Sequence, residues 1–492
     1  MDLANIESIR YFYPELILAG TILILVLLDL VVSDKKGLPI FAVAGVLLSL
    51  WATLQLNGTP GGWLFHRMII LDNFSLFFKV ISLLAVLLVI WMSVGSHEIR
   101  QVHQGEYYTV LLTSALGMFF MASSSNLLMA YMSLELVSIT SYILTGMLPH
   151  NRRSSEAALK YLIYGGVASG SMIYGMSWIF GLTGSLDYAQ INQVLLGSTG
   201  NQLALFIALI FILAGFGYKV VIAPFHMWSP DVYQGAPTPI TAFLSVGSNA
   251  AGVAIMIRFF LPAVSRLGDA GNWILIPGVE WPQVLWIVSI VTMTLGNLCA
   301  LNQQNVKRLL AYSGIAHAGY ILMGLVVLNN DGLVAMLFYI VVYLIMNLGA
   351  FLVVVIVSNA TGREDIEGYR GLAWRGAAVP AVCMAIFLFS LTGLPPLAGF
   401  VGKLLLFAAV IKGQFYILAV VAILNSVISL YYYARIVKTM FFDAPTSDDG
   451  EVAMTASVFP LLLLLAIPTV FFGVYWGPLF TYTQESLSFF IR

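Results

Sequence analysis

Runs of Leu, Ile, Val, Phe and Ala recur along the whole chain, continuous instead of alternating, with short polar punctuation between them. About 20 such residues let an α-helix cross ~30 Å of hydrocarbon. Spans are predicted near 14–32, 39–56, 72–94, 107–124, 126–147, 157–182, 202–223, 237–262, 282–301, 307–328, 332–358, 379–411, 415–441 and 455–476. The pattern therefore predicts an all-α polytopic membrane protein with fourteen transmembrane helices. A membrane barrel would alternate apolar and polar residues in ten-residue strands, and no strand is predicted. The longest polar connection, 359–376, is too short for a soluble core, and the acidic stretch 443–451 reads as a solvated connector.

Two landmarks repeat. "YILTG" at Tyr142–Gly146 returns as "YILMG" at Tyr320–Gly324, 178 positions on, and Lys219 beside Pro224 is echoed 184 positions on by Lys403 after Pro395 and Pro396. Five spans separate the copies, and an odd number inverts the second relative to the first. The expectation is a pair of inverted five-helix repeats, spans four to eight and nine to thirteen, each with a broken helix. The domains follow: a three-helix lead-in at 1–106, repeats at 107–262 and 282–441, and a final span with its tail at 442–492.

Composition narrows the class. The chain is 60% hydrophobic and 9% charged, where a soluble domain is about a quarter charged. Net charge is −1, which gives no reason to expect nucleic-acid binding. Basic residues crowd the loops after odd-numbered spans (Lys35, Lys36, Arg100, Arg152, Arg153, Lys307, Arg308, Arg363, Arg370, Arg375, Lys438), against Arg67, Arg266 and Lys412 in the even ones. The odd loops are thus expected in the cytoplasm and both termini on the other side. Residues 1–13 lack a basic leader, so span one is expected to stay. Cys299 and Cys383 stand singly and read as small buried hydrophobes. The histidines at 66, 97, 103 and 150 have no ligand spacing, so no metal site is expected.

Ionisable groups inside spans mark pathways by default. Glu135 sits mid-span, with Tyr131, Ser138 and Tyr142 on its helical face. Lys219 lies about a turn before Pro224, whose missing N–H frees backbone carbonyls at membrane depth, and Glu135 is the anion expected to compensate it. His317 has Ser313 on its side of the helix; histidine as a residue type titrates near neutral pH, which suits a relay, and the alternative is a neutral, hydrogen-bonded His. Lys403 follows the interruption at Pro395 and Pro396. Lys160, near a span start, either takes part or snorkels, and His226 in the break gates or caps. Stripes through Tyr339, Tyr343 and Asn347, and through Asn425, Ser429 and Tyr432, read as wet packing or as conduction. Arg258 and Arg435 read as anchors, and Asp29, Asp72 and Lys79 as subunit contacts.

The segments "PFHMWSPDVYQGAPTPITAFL", "EAALKYLIYG", "NVKRLLAYSGIAHAGYILMG" and "LTGLPPLAGFVGK" resemble the N-type subunit of bacterial proton-pumping NADH:quinone oxidoreductase, respiratory complex I, over about residues 10–480. The resemblance implies a non-redox subunit of the bacterial inner membrane that translocates protons while electrons pass from NADH to quinone elsewhere. It implies a Glu135–Lys219 pair modulated by Lys160, His317 on a central hydrophilic axis, and Lys403 near an exit half-channel. NADH, FMN, iron–sulfur clusters and quinone are expected in other subunits, with no cofactor on this chain. Expected partners are the lipid bilayer and further membrane subunits, among them a neighbouring antiporter-like subunit and a small K-type subunit. Where many N-type subunits have a lysine, this chain has Asn249, which carries no cation; either ordered water near Ser248 and Asn249 bridges Lys219 to His317, or the path differs. The alternative is a cation/proton antiporter subunit or part of a membrane-bound hydrogenase.

Overall fold

The computed structural model describes all residues except 1–2, 60, 149, 198–200, 269–271, 277–279, 446–449, 453–457 and 489–492. The middle of the 443–451 connector and the last residues of the tail therefore lie outside the described residues. A short α1 (Asn5–Ile9) leads into α2 (Tyr13–Val31), α3 (Leu38–Gln55) and α4 (Asn73–Val94). Next come α5 (Gln104–Ser123), α6 (Leu127–Thr145), α7 (Arg152–Thr183), α8 (Tyr188–Gly197), α9 (Gln202–Val220), α10 (Ser229–Gly235), α11 (Thr238–Phe243) and α12 (Asn249–Phe260). The second half holds α13 (Trp281–Leu301), α14 (Val306–Val326), α15 (Asn330–Thr361), α16 (Ala378–Thr392), α17 (Ala398–Lys412) and α18 (Tyr416–Phe441), followed by α19 (Phe459–Val474) and α20 (Gly477–Ser486).

Among the described residues ten helical stretches are long and apolar enough to cross a membrane, or eleven if α19 and α20, which meet at 91°, form one. The other predicted ranges also hold helix: α5 and α7 carry many Gly, Ser, Tyr or charged residues, and α16 and α17 have only 15 residues each. Burial sorts the helices. In α14 and in the α11–α12 stretch 94% of the apolar window is buried, against 28% in α2. Polar side chains on the former therefore face protein, not lipid.

Strands do occur, contrary to the sequence reading. β1 (Gly62–Leu64) pairs antiparallel with β2 (Ile69–Leu71), and β3 (Ser265–Leu267) with β4 (Trp273–Leu275). Both are three-residue ladders in connections between helices, too short to leave an alternating signature, and they satisfy backbone groups that loop residues would otherwise leave unpaired.

The two halves close their junctions alike. Asn126 bridges Asp187 just before α6, and Asn305 bridges Asp365 just before α14. Leu127 N–H donates to the Leu186 carbonyl at 2.9 Å, and Val306 N–H to the Glu364 carbonyl at 2.8 Å. Each Asn caps its helix, accepting from Leu128 N–H and Arg308 N–H respectively, which supplies a partner for otherwise orphaned first-turn donors. From 187 to 365 is 178 positions, the offset of the YIL-x-G echo.

The breaks also match. After α9, Val221 adopts φ 64° and Ile222 N–H reaches back to the Gly217 carbonyl at 2.9 Å; after α16, Gly393 adopts φ 91° and Leu394 N–H reaches the Phe389 carbonyl at 3.1 Å. Both are left-handed caps that close a helix, and each is followed by a cis X–Pro bond, Ala223–Pro224 and Pro395–Pro396. A β-branched residue in the left-handed region is a rare conformation, which sets Val221 apart. Lys219 precedes its break whereas Lys403 follows its own. The two lysines are therefore not residue-for-residue counterparts, as the sequence echo suggests; they flank equivalent breaks from opposite sides.

Candidate functional site

The α9 break brings a lysine, an aromatic cluster and α13 together. Lys219 is 1% exposed, and its Nζ has no hydrogen-bonding partner among the described residues. Its stem crosses α12 at Gly252, where an added Cβ would lie 3.2 Å from Lys219 Cγ. The proline break is satisfied by protein. Ala223 N–H donates to Thr292 Oγ1 at 3.0 Å, and Trp228 Nε1 donates to the Tyr218 carbonyl at 3.2 Å. Trp228 stacks on Tyr161 with ring centroids 4.2 Å apart. His226 is buried, and its Nδ1 has no protein partner.

Glu135 lies on α6, half-buried, with Oε1 buried and unpartnered. It is the carboxylate that acts on Lys219 through space, yet the two make no contact within ion-pair distance. The expected pair is thus an electrostatic pair across a gap. Ser138 Oγ is likewise buried and unpartnered, and the Tyr142 and Tyr218 hydroxyls converge where α7 passes at Gly165, with no room for a Cβ. Buried polar atoms are almost always hydrogen-bonded, and an ammonium without a protein partner at membrane depth requires water.

On α14, His317 Nδ1 lies 2.7 Å from the Tyr339 hydroxyl, and its Nε2 lies 3.4 Å from that of Tyr433, which also bonds Ser313. On α17, Lys403 is 2% exposed; its Nζ donates to the Thr392 carbonyl at 2.9 Å and to Ser426 Oγ at 3.0 Å, and sits 4.5 Å over the Tyr320 ring. Thr392 is the last residue of α16, so the lysine meets a carbonyl that the helix end releases. Pro395 and Pro396 form the break beside it. Asn425 and Tyr432 both bond Asn297 on α13.

Lys160 is ion-paired with Glu156 at 2.7 Å and Asp231 at 2.6 Å. Asp231 also binds Arg308 of α14 at 2.5 Å, so one carboxylate ties α7 to α14. Lys160, Glu156 and Asp231 line a polar cavity of about 150 Å³ together with Arg153 and Gln234. Asp72 and Lys79 depart from the sequence reading. They are buried and paired internally, Lys79 with Glu15 at 2.5 Å and Asp72 with Arg258, instead of facing a neighbouring subunit. A charge deep in an apolar bundle needs a partner inside the protein, and the helical pattern alone does not say which face meets it. Asp231, Tyr433 and Trp228 were not singled out from sequence, and Arg308 was read only as a loop charge. Asp231, Trp228 and Arg308 lie in segments that carried the resemblance, whereas Tyr433 carried no signal.

A bundle of apolar helices, two of them broken beside buried lysines, with polar side chains following one another through its interior, defines an antiporter-like membrane protein. The chain belongs to the family described as NADH:quinone oxidoreductase/Mrp antiporter, TM, whose model matches residues 124–429. It is 46% identical to NADH-quinone oxidoreductase subunit N 2 of Sorangium cellulosum, covering 99% of this chain and 98% of that one. Its fold is similar to a chain of respiratory complex I from Thermus thermophilus with bound aureothin, at TM-score 0.79 and 30% identity, covering 95% of this chain and 98% of that one. A chain of the Mrp complex from Dietzia shares the fold at TM-score 0.83 and 20% identity, covering 98% of each.

Proposed function

We infer that the chain is the N-type, non-redox membrane subunit of a proton-translocating NADH:quinone oxidoreductase. It moves protons along Glu135, Lys219, the Asn249 region, His317 and Lys403 while electrons pass from NADH to quinone elsewhere in the assembly. Near full-length similarity to subunits of that name supports the reading. The observation that carries it is the pair of unpartnered buried groups, Lys219 Nζ and Glu135 Oε1. Sealed charges would be paired, whereas groups that exchange protons must stay open to hydration.

The mechanism follows from the gap. While Glu135 is charged it favours the proton on Lys219; when a change from a neighbouring subunit neutralises or withdraws that carboxylate, the ammonium loses that anion and releases its proton toward His317 and Lys403. Moving one charge against 100 mV takes about 2.3 kcal/mol, and a pKa change of two units supplies about 2.7.

The junctions at 126/187 and 305/365 and the matched breaks support two inverted repeats after a lead-in; with fourteen crossings, the basic loops favour both termini on the non-cytoplasmic side of a bacterial inner membrane. A neighbouring antiporter-like subunit and a small K-type subunit are the proposed contacts, and FMN, iron–sulfur clusters and quinone belong to other chains. Lys160, held by Glu156 and Asp231, lies in the polar cavity and serves proton entry; His226 lines the break.

The test uses the assembled complex in inverted membrane vesicles. Lys219→Ala and Glu135→Ala should abolish or strongly lower NADH-driven proton uptake while leaving NADH oxidation by an artificial acceptor intact. Normal uptake in both variants would overturn the reading, and sodium-dependent transport without any redox partner would favour an antiporter.

A further inference from the structure

Asn249 interrupts the cationic series, and its surroundings show what stands in. It follows directly on a π-turn, Leu244–Ser248, at the start of α12. Such turns leave the regular ladder and frequently mark functional positions. Here the Ser245 carbonyl accepts from Asn249 Nδ2 at 3.1 Å, and Ser245 Oγ accepts from Asn347 Nδ2 of α15 at 2.8 Å. The Asn249 amide also lies within hydrogen-bonding reach of the Tyr233 hydroxyl, and its oxygen, with two lone pairs, has capacity to accept from a water.

A cavity of about 20 Å³ opens at this point, lined by Asn249, Tyr343, Val220 and Gly314 among others. One water needs roughly 10–15 Å³ of accessible space and two or more polar partners. Lining residues neighbour both stations: Val220 adjoins Lys219, whose stem passes Gly252, i+3 from Asn249, while Gly314 lies three residues before His317. The Tyr343 hydroxyl is buried without a protein partner, and it sits beside Gly314, where an added Cβ would lie 3.1 Å from it. Its ring lies 5.1 Å from that of His317.

We propose that Tyr343 and Asn249 together hold a water that passes the proton from Lys219 to His317, α15 supplying a hydroxyl and α12 an amide oxygen where a cationic side chain is missing. The water accepts a proton on a lone pair as another of its protons leaves, so Lys219 loses one proton, His317 gains one, and nothing else is consumed. The 3.4 Å contact of His317 Nε2 is the longer of its two and leaves that nitrogen the easier to engage. This inference rests on Lys219 and His317 being relay stations.

The test compares Tyr343→Phe, Tyr343→Phe with Asn249→Lys, and Lys219→Ala in the assembled complex, normalised to NADH oxidation by an artificial acceptor. Proton uptake should fall several-fold in Tyr343→Phe and recover when a lysine replaces Asn249, which a merely structural role for Tyr343 would not produce. Wild-type uptake in Tyr343→Phe, with uptake lost in Lys219→Ala, overturns the water bridge and leaves the broader reading standing; unimpaired uptake in Lys219→Ala overturns both. If Tyr343→Phe does not assemble, Gly314→Ala narrows the same cavity, and unchanged uptake there overturns the bridge.

Discussion

Lys79 and Lys219 face the same desolvation problem and meet it in opposite ways. Lys79, 3% exposed, is locked to Glu15 at 2.5 Å with both partners interior to the lead-in. Removing one partner of such a pair typically costs about 3–5 kcal/mol, whereas replacing both by apolar groups of similar size is often neutral. Lys79→Met should therefore lower the unfolding temperature and yield of the assembled complex, and Glu15→Leu with Lys79→Met should recover much of the loss; equal loss in both would refute a structural pair. Lys219 offers no such compensation, and its replacement should affect transport more than stability. At this scale the sequence was informative wherever a charge interrupted a long apolar run, as at Glu135, Lys219 and Lys403. It was uninformative about partners, since Glu15 and Lys79 are 64 positions apart and nothing in periodicity joins them.

A broken helix is a device for delivering backbone groups where an intact one has none. At the second break Gly393 stands at φ 91°, and an added Cβ would meet Lys403 Cδ at 2.9 Å. Gly393→Ala should thus destabilise by at least about 1 kcal/mol from backbone strain and push the lysine stem off the Thr392 carbonyl; proton uptake that stays normal would show that this placement is dispensable. Asp231 works between elements, tying α7 to α14. Because its side chain is 35% exposed, Asp231→Asn should alter stability by no more than about 1 kcal/mol per pair while slowing proton uptake at limiting external proton concentration. The prolines announced both breaks in sequence. The π-turn was silent, because one extra residue in a turn leaves the apolar run unchanged, and the three-residue strands were too short for any periodicity to register.

The molecule's outer surface is apolar on a scale that suits lipid or partner subunits, with Leu30, Val31, Ile40 and Val167 each more than two-thirds exposed. Its handedness in the bilayer is testable by accessibility. Ser33→Cys should react with a membrane-impermeant reagent from the cytoplasmic side and Asn57→Cys from the opposite side; the reverse pattern would invert the proposed orientation. The proposed repeat was suggested by one five-letter echo and a pair of lysines near prolines, whereas the bridges at 126/187 and 305/365, which also support it, involve residues ordinary in any loop. One further consequence follows from Lys307, 1% exposed at the start of α14, which donates to the Ala236 carbonyl at 2.8 Å and pairs with Glu364 at 3.0 Å. Together with the Arg308–Asp231 bond it stitches the first half to the second along one margin, as a spine holds two covers. Large rocking of one half against the other, a common alternating-access motion, would have to open that seam, so it would show as loss of the Arg308–Asp231 and Lys307–Ala236 contacts in the working complex.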